Sequence, residues 1–267
     1  MSYQSTFKRY ELKYLLTHEQ KENILTVMSE YMRPDKYARS TVRNLYFDTP
    51  DFKIIRRSLE KPDYKEKLRL RSYATVDGND EVFVELKKKY DKVVYKRRIA
   101  LPLNDAMDWL YNRRPCAVKG QISNEINYFL GFYHPLAPTV FLSYDREAYY
   151  GICDDGFRVT FDENILCRQT DLSPTKEPGG NSILDKELSL MELKCYGGIP
   201  MWMARALSSM KLYKTPFSKY GTAYEKLIFQ EIKLRKCKGK NTYDMDKLRL
   251  YLSDTLYATV DGFFSKI

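Results

Sequence analysis

The ten residues YKEKLRLRSY, positions 64–73, limit the fold more than any other stretch of the chain. As a strand they put Lys67, Arg69 and Arg71 on one face and Leu68 and Leu70 on the other, because side chains alternate with period two. The same division returns elsewhere. Arg9, Glu11 and Lys13 oppose Tyr10, Leu12 and Tyr14, while Glu81, Glu85 and Lys87, with Phe83 among them, oppose Val82, Val84 and Leu86. Lys96 and Arg98 share a face with Val94, Arg158 with Thr160 and Asp162, and Glu192 with Lys194. One such strand is an ordinary solvated face of an antiparallel sheet. Their recurrence predicts a closed sheet whose charged faces turn inward as a cationic tunnel, with the apolar faces packed outward under helices. Empty, that tunnel crowds like charges together, so it suits a chain that holds a polyanion with a metal.

The other segments complete an α+β pattern. Thr17-His18-Glu19-Gln20 is a capping box, and Ile24, Val27, Met28 and Tyr31 follow at helical spacing, with Pro34 as the expected stop. VRNLYFDT reads as a strand and residues 52–59 as a short helical turn. Residues 81–101 form a hairpin turning near 90–92, and residues 104–112 and 123–133 read as helices. TVFLSYDREAYYG and FRVTFDENI pair across 151–156; residues 170–186 are a polar loop, and ELSLMELKCYG is a strand. Helices are expected from Pro200 to Lys211 and over 222–236, the latter followed by a KCKGKN linker and one or two helices within 244–264. The division is 1–236 for the tunnel domain and 237–267 for linker and C-terminal helical segment.

Lys and Arg number 45 against 35 Asp and Glu, a net charge of +10, which favours an anionic partner. The first residues contain no apolar signal core and no run approaches a membrane span, so the reading is a cytoplasmic chain with no membrane span of its own. Five scattered cysteines without a CxxC read as reduced, buried thiols, and two histidines give no basis for histidine catalysis. There is no Walker A motif and no G-x-G-x-x-G.

RYELKYLL, YFDT, KLRLRSY, VELKKK, YDREAY, MELK and FSKY, in that order over roughly residues 5–225, together resemble the VTC (vacuolar transporter chaperone) domain. That domain is the polyphosphate polymerase branch of the triphosphate tunnel metalloenzymes, also called CYTH-like. The resemblance implies a closed antiparallel eight-stranded barrel that binds triphosphate with Mn2+ or Mg2+ and moves the γ-phosphate of ATP onto inorganic polyphosphate. It implies that Lys13, Arg69, Arg71, Lys87, Arg146 and Arg158 act on the reacting phosphates, and that Glu192 and Glu11 hold the metal. Arg9, Lys96, Arg98, Lys194, Ser218 and Lys219 are the implied substrate-binding set. Arg9 stands where the superfamily's E-x-E-x-K signature has its first glutamate, and Pro216, with Lys214 nearby, where eukaryotic members have a lysine.

The chemistry of the residues agrees. Phosphoryl transfer asks mainly for positioning and charge neutralisation, which guanidinium forks and ammonium charges supply. Mg2+ takes one or two protein carboxylates and completes its shell with water and phosphate oxygens. Glu85 reads as a partner for neighbouring Arg and Lys. A tunnel triphosphatase is the alternative within the fold, disfavoured by the loss of a carboxylate at Arg9. A non-catalytic polyphosphate- or RNA-binding protein is the alternative outside catalysis. No nucleic acid is expected, because the aromatic residues fall on the apolar faces, away from the basic ones. The C-terminal helices are expected to cover a tunnel end or to meet a partner, possible membrane proteins included.

Overall fold

The structure is a computed structural model that describes residues 10–91, 93–154 and 156–237, with side chains as far as residue 233. Its strands are β1 (Tyr10–Thr17), β2 (Met32–Asp48), β3 (Tyr64–Ser72), β4 (Glu81–Tyr90), β5 (Val93–Pro102), β6 (Ala137–Gly151), β7 (Arg158–Arg168), β8 (Asn181–Ser182) and β9 (Leu188–Cys195). They form one antiparallel sheet in the order β1-β9-β7-β6-β2-β3-β4-β5, with β8 paired to β7. The helices are α1 (His18–Met28), α2 (Lys53–Leu59), α3 (Leu103–Leu110), α4 (Gln121–Phe132), α5 (Met201–Ser209), α6 (Lys219–Ala223) and α7 (Phe229–Cys237), with one π-helical turn, Tyr224–Ile228, between the last two.

The alternation read from the sequence sets the layers. Leu68, Leu70, Val82, Val84, Leu86 and Ile99 are buried on the outer face of β3–β5, against Trp109 of α3 and Ile126 and Phe129 of α4. Tyr14, Leu16, Val159, Phe161, Met191 and Leu193 form a second outer layer under Ile24 and Met28 of α1 and Met203 of α5. A third cluster lies on the inner face. There Val42, Tyr46, Val140, Leu142, Tyr144 and Leu190 pack against Ile55 of α2, Tyr220 of α6, and Tyr224 and Ile228 of the π-helical turn. One end of the inner face is therefore filled with apolar side chains, and the charged remainder lies beyond them.

The sheet curls without closing through backbone pairing. Five strands separate β1 from β4, which in a flat sheet would put them about 29 Å apart. Lys87 of β4 nevertheless lies 3.1 Å from Glu11 of β1. Backbone pairing of the described residues does not show the expected closure: β1 and β5 do not pair, and the path ends on them. The reason is that the free edge of β1 is already taken. Tyr14 bridges to Lys214, and Thr215 N–H donates to the Lys13 carbonyl at 2.8 Å.

Three local readings also shift. The capping box at Thr17 is present, but α1 ends at Met28, and Pro34 lies inside β2. Proline, without an N–H, is tolerated there because the β2–β6 register breaks between Pro34 and Arg39. The late helix starts at Lys219, three residues early, because the Ser218 hydroxyl caps it by accepting from Gly221 N–H at 3.3 Å. Cys116, Cys167 and Cys195 are buried free thiols, whereas Cys153 is exposed. Arg9 and the segment from residue 238 onward, which contains the expected C-terminal helices, lie outside the described residues.

Candidate functional site

Two carboxylates organise the inner face. Glu85 of β4, 1% exposed, receives Arg69 through Nε and Nη2 at 2.9 and 2.8 Å, Lys96 at 2.8 Å and Arg98 Nε at 2.8 Å, with Arg71 Nε at 3.8 Å. Burial alone would raise its pKa, but Arg69, Arg71, Lys96 and Arg98 hold it well below the ordinary carboxylate range. The register explains the convergence, because Arg69, Glu85 and Arg98 are direct cross-strand neighbours on β3, β4 and β5.

Glu192 of β9, 5% exposed, is the second hub. Around it stand Lys219 at 3.0 Å, Lys13 at 3.3 Å, Lys194 at 3.4 Å and Arg146 at 3.5 Å. Burial is again outweighed, by Lys219, Lys13, Lys194 and Arg146, so this carboxyl also stays ionised. Beside it Asp162 takes a two-point grip from Arg146, at 2.6 and 2.7 Å, and Lys219 at 2.5 Å. Glu11 joins the two halves through Lys87 at 3.1 Å and Lys13 at 3.3 Å. The Lys87 charge is the main reason that its pKa falls, with Lys13 adding to the effect.

The face thus gathers ten cations, Lys13, Lys67, Arg69, Arg71, Lys87, Lys96, Arg98, Arg146, Lys194 and Lys219, around four carboxylates, Glu11, Glu85, Asp162 and Glu192. The surplus shows in the lysines. Burial, then Lys87 and Lys13, depress Lys67 to about 7; its Nζ has the Ser218 hydroxyl at 3.2 Å and no ion pair among the described residues. Lys96 falls to about 7 through burial, only partly offset by Glu85, and Lys194 to about 8 through burial.

Of the sequence-derived set, Lys13, Arg69, Arg71, Lys87, Lys96, Arg98, Arg146, Lys194, Ser218, Lys219, Glu11 and Glu192 all meet here. Arg158 does not. Its side chain is 41% exposed and its Nη2 donates to Asp35, which the irregular stretch of β2 brings to the rim. Several participants escaped sequence reading. Asn44 Oδ1 accepts from Arg71 Nε at 2.9 Å, Tyr46 OH from Arg69 at 3.1 Å, and Tyr144 OH from Arg71 at 3.3 Å. Period-two alternation through VRNLYFDT would have placed Asn44 and Tyr46 inside. The expected segregation of aromatics from the basic face is also corrected: Tyr46, Tyr144 and Tyr220 lie on it. All three are buried, at 6%, 3% and 1%, with Tyr46 and Tyr220 stacked at 4.6 Å, so none offers a free platform for a base.

The carboxylates suit a hard cation only as a sparse site. No group of three or more His, Cys, Asp or Glu placed for a metal occurs among the described residues. Glu11 and Glu192 share Lys13, and the Thr160 hydroxyl, directly opposite Glu192 in register, is buried without a hydrogen-bond partner. Two oxygen donors beside an unsatisfied hydroxyl fit an ion that brings water and phosphate oxygens of its own.

A family comparison decides the affiliation: the VTC domain matches residues 8–228. The chain belongs to the VTC domain family. No curated protein matches it. A Bacillus halodurans protein provisionally assigned as an adenylate cyclase is similar in fold, at 15% identity and a TM-score of 0.52, over 80% of this chain and 95% of that one. A Vibrio parahaemolyticus protein with the same provisional assignment gives 10% identity and 0.43 over 81% and 98%, and the Mimivirus capping enzyme triphosphatase 8% and 0.35 over 78% and 90%. The VTC-domain chain is a sheet-rich antiparallel α+β fold similar to that of the Bacillus halodurans protein. No helix among its described residues is long and apolar enough to cross a membrane.

Proposed function

We propose that this chain is a polyphosphate polymerase that transfers the γ-phosphate of ATP onto inorganic polyphosphate along its cationic inner face. The observation that carries the reading is the pair of buried carboxylates, Glu85 and Glu192, each ringed by four cations within 4 Å. A surplus of that size on a buried face is costly without a polyanion and is neutralised by one.

In this reading Arg69, Arg71 and Arg98 grip phosphate oxygens with guanidinium forks, while Lys13, Lys87, Lys96, Lys194 and Lys219 act as point charges. Arg146, anchored on Asp162, and Lys219, fixed at the start of α6, hold the transferred group in line between leaving and attacking oxygens. A bond forms from a terminal polyphosphate oxygen to the γ-phosphorus, the bridge to the β-phosphate breaks, and ADP leaves with the electron pair. Glu192 and Glu11 would hold Mn2+ or Mg2+, which supplies charge neutralisation at the phosphates. Arg158, at the rim, is assigned to incoming substrate and not to the reacting group.

The test is incubation with ATP and Mn2+, a gel for long polymer and an assay for free phosphate. Polymer with ADP supports the reading. Free phosphate with ADP and no polymer would replace it with a tunnel triphosphatase, and no turnover with either metal would leave a binding role.

A further inference from the structure

The basic pattern of β4 has one apolar exception on the inner face, the half-buried Phe83, which stands in register between Arg71 and Ala100. Along β3 the inner face starts at Lys65 and Lys67, which α2 and the start of α6 cover through Ser58 at 3.3 Å and Ser218 at 3.2 Å. The row of Arg71, Phe83 and Ala100 lies toward the other end, one step beyond that of Arg69, Glu85 and Arg98. Successive rows on one face are about 7 Å apart. Tyr73, directly after β3, turns to the same place. Its ring centroid is 5.8 Å from that of Phe83 at 66°, an edge-to-face pair, and its hydroxyl accepts from Arg98 Nη2 at 2.9 Å. Arg98 Cζ in turn lies 4.3 Å over the Phe83 ring. Tyr46, Tyr144 and Tyr220 are buried, whereas Tyr73 keeps 43% of its surface. Beside it, at the unpaired edge of β5, lies a cavity of about 370 Å³, lined by Arg98, Ala100, Val118 and Lys119 among others. That volume is in the range of small-molecule sites.

We propose that Tyr73, backed by Phe83, seats the purine base of the nucleoside triphosphate donor. With the donor's phosphates at Arg69 and Arg98, its ribose reaches the next row and its base meets the exposed Tyr73 ring. Arg98 ties the two parts together, because the same guanidinium faces the phosphates and holds the Tyr73 hydroxyl. Every base has a face to stack, and the larger purine covers more of the ring. The identity of the donor rests on the polymerase reading. The aromatic pair itself requires only a ligand that carries a base on a chain of phosphates.

The experiment separates base from phosphates by choice of probe. Binding of ATP, CTP and tripolyphosphate is measured in chelator at fixed salt, for the full chain and for Tyr73→Ala and Tyr73→Phe. Wild type is expected to bind ATP more tightly than CTP. Tyr73→Ala is expected to weaken ATP about fivefold or more and tripolyphosphate by less than about twofold, with the preference for ATP over CTP gone. Tyr73→Phe, which keeps the ring and drops the hydroxyl, is expected to bind ATP within about twofold of wild type. Equal loss of ATP and tripolyphosphate in Tyr73→Ala would mean that Arg98 has moved, and would overturn the base seat. Unchanged ATP binding in that variant would overturn it as well, and so would a loss in Tyr73→Phe equal to that in Tyr73→Ala. A selective loss of ATP in Tyr73→Ala, where the wild type makes no polymer, would overturn the polymerase reading and leave the base seat standing. Tyr73→Leu repeats the comparison if Tyr73→Ala does not fold.

Discussion

Lys219 Nζ sits 2.5 Å from Asp162 Oδ2, a carboxylate with no exposed surface. The lysine comes from the first turn of a helix and the aspartate from the middle of a strand, and a further 3.0 Å contact carries the same ammonium to Glu192. Helix α6 is thus fixed to the sheet at the charged site, and these ionised groups bear on how the site fails when altered.

Glu192→Gln keeps the shape of the side chain and removes one negative charge from among Lys13, Lys194, Lys219 and Arg146. Triphosphate binding in chelator should survive or tighten, while turnover with Mn2+ should collapse. Near-normal turnover would remove Glu192 from the metal site.

Arg69→Ala takes away a fork on the inner face and leaves Glu85 with Arg71, Lys96 and Arg98. Triphosphate affinity and kcat/KM should fall together, each by about 1.5–3 kcal/mol, because the lost bond serves ground state and transition state alike. Calorimetric titration beside steady-state kinetics checks the pairing of the two losses.

Glu85→Gln strips the carboxylate shared by four cations. The empty protein should lose about 3 kcal/mol or more, as when one member of a buried ion pair is removed. Millimolar triphosphate should restore much of the melting temperature by binding the folded state alone. A melting temperature indifferent to triphosphate, in wild type and variant, would count against an anion-filled face.

The pH dependence follows from Lys67 and Lys96, both held near 7 against an ordinary 10.5. Between those values the unfolded chain binds more protons than the folded one, so stability of the empty protein should rise with pH from about 7 toward 9. Phosphate favours the charged ammonium, so triphosphate affinity should move oppositely, falling over the same interval with proton uptake on binding. Melting curves at pH 7 and 9, and titrations in buffers of different ionisation enthalpy, read both signs.

The strands, their faces and most of the charged site were legible because alternation is a local property. YKEKLRLRSY assigns Arg69 and Arg71 to one side with no knowledge of neighbours. What stayed hidden depends on partners distant in sequence. Arg158 has the right parity, but Asp35, 123 residues away, draws it to the rim. Lys214 and Thr215 pair with the β1 edge, and nothing in the alternation of β1 marks that edge as taken. The expectation that aromatics keep to the apolar faces misses Tyr46, Tyr144 and Tyr220: Tyr46 and Tyr144 accept from Arg69 and Arg71, and Tyr220 stacks on Tyr46 and donates to Asp48.

A sheet that ends on β5 leaves one margin at which another copy could add a strand and begin a fibre. Here that margin carries Lys96, Arg97 and Arg98 in succession, and Lys96 keeps 44% of its side-chain surface. A second β5 laid alongside would bring three cations against three cations, a repulsion that its main-chain hydrogen bonds would have to overcome. Lys96 and Arg98, which line the working face, thus also disfavour the pairing of two β5 edges.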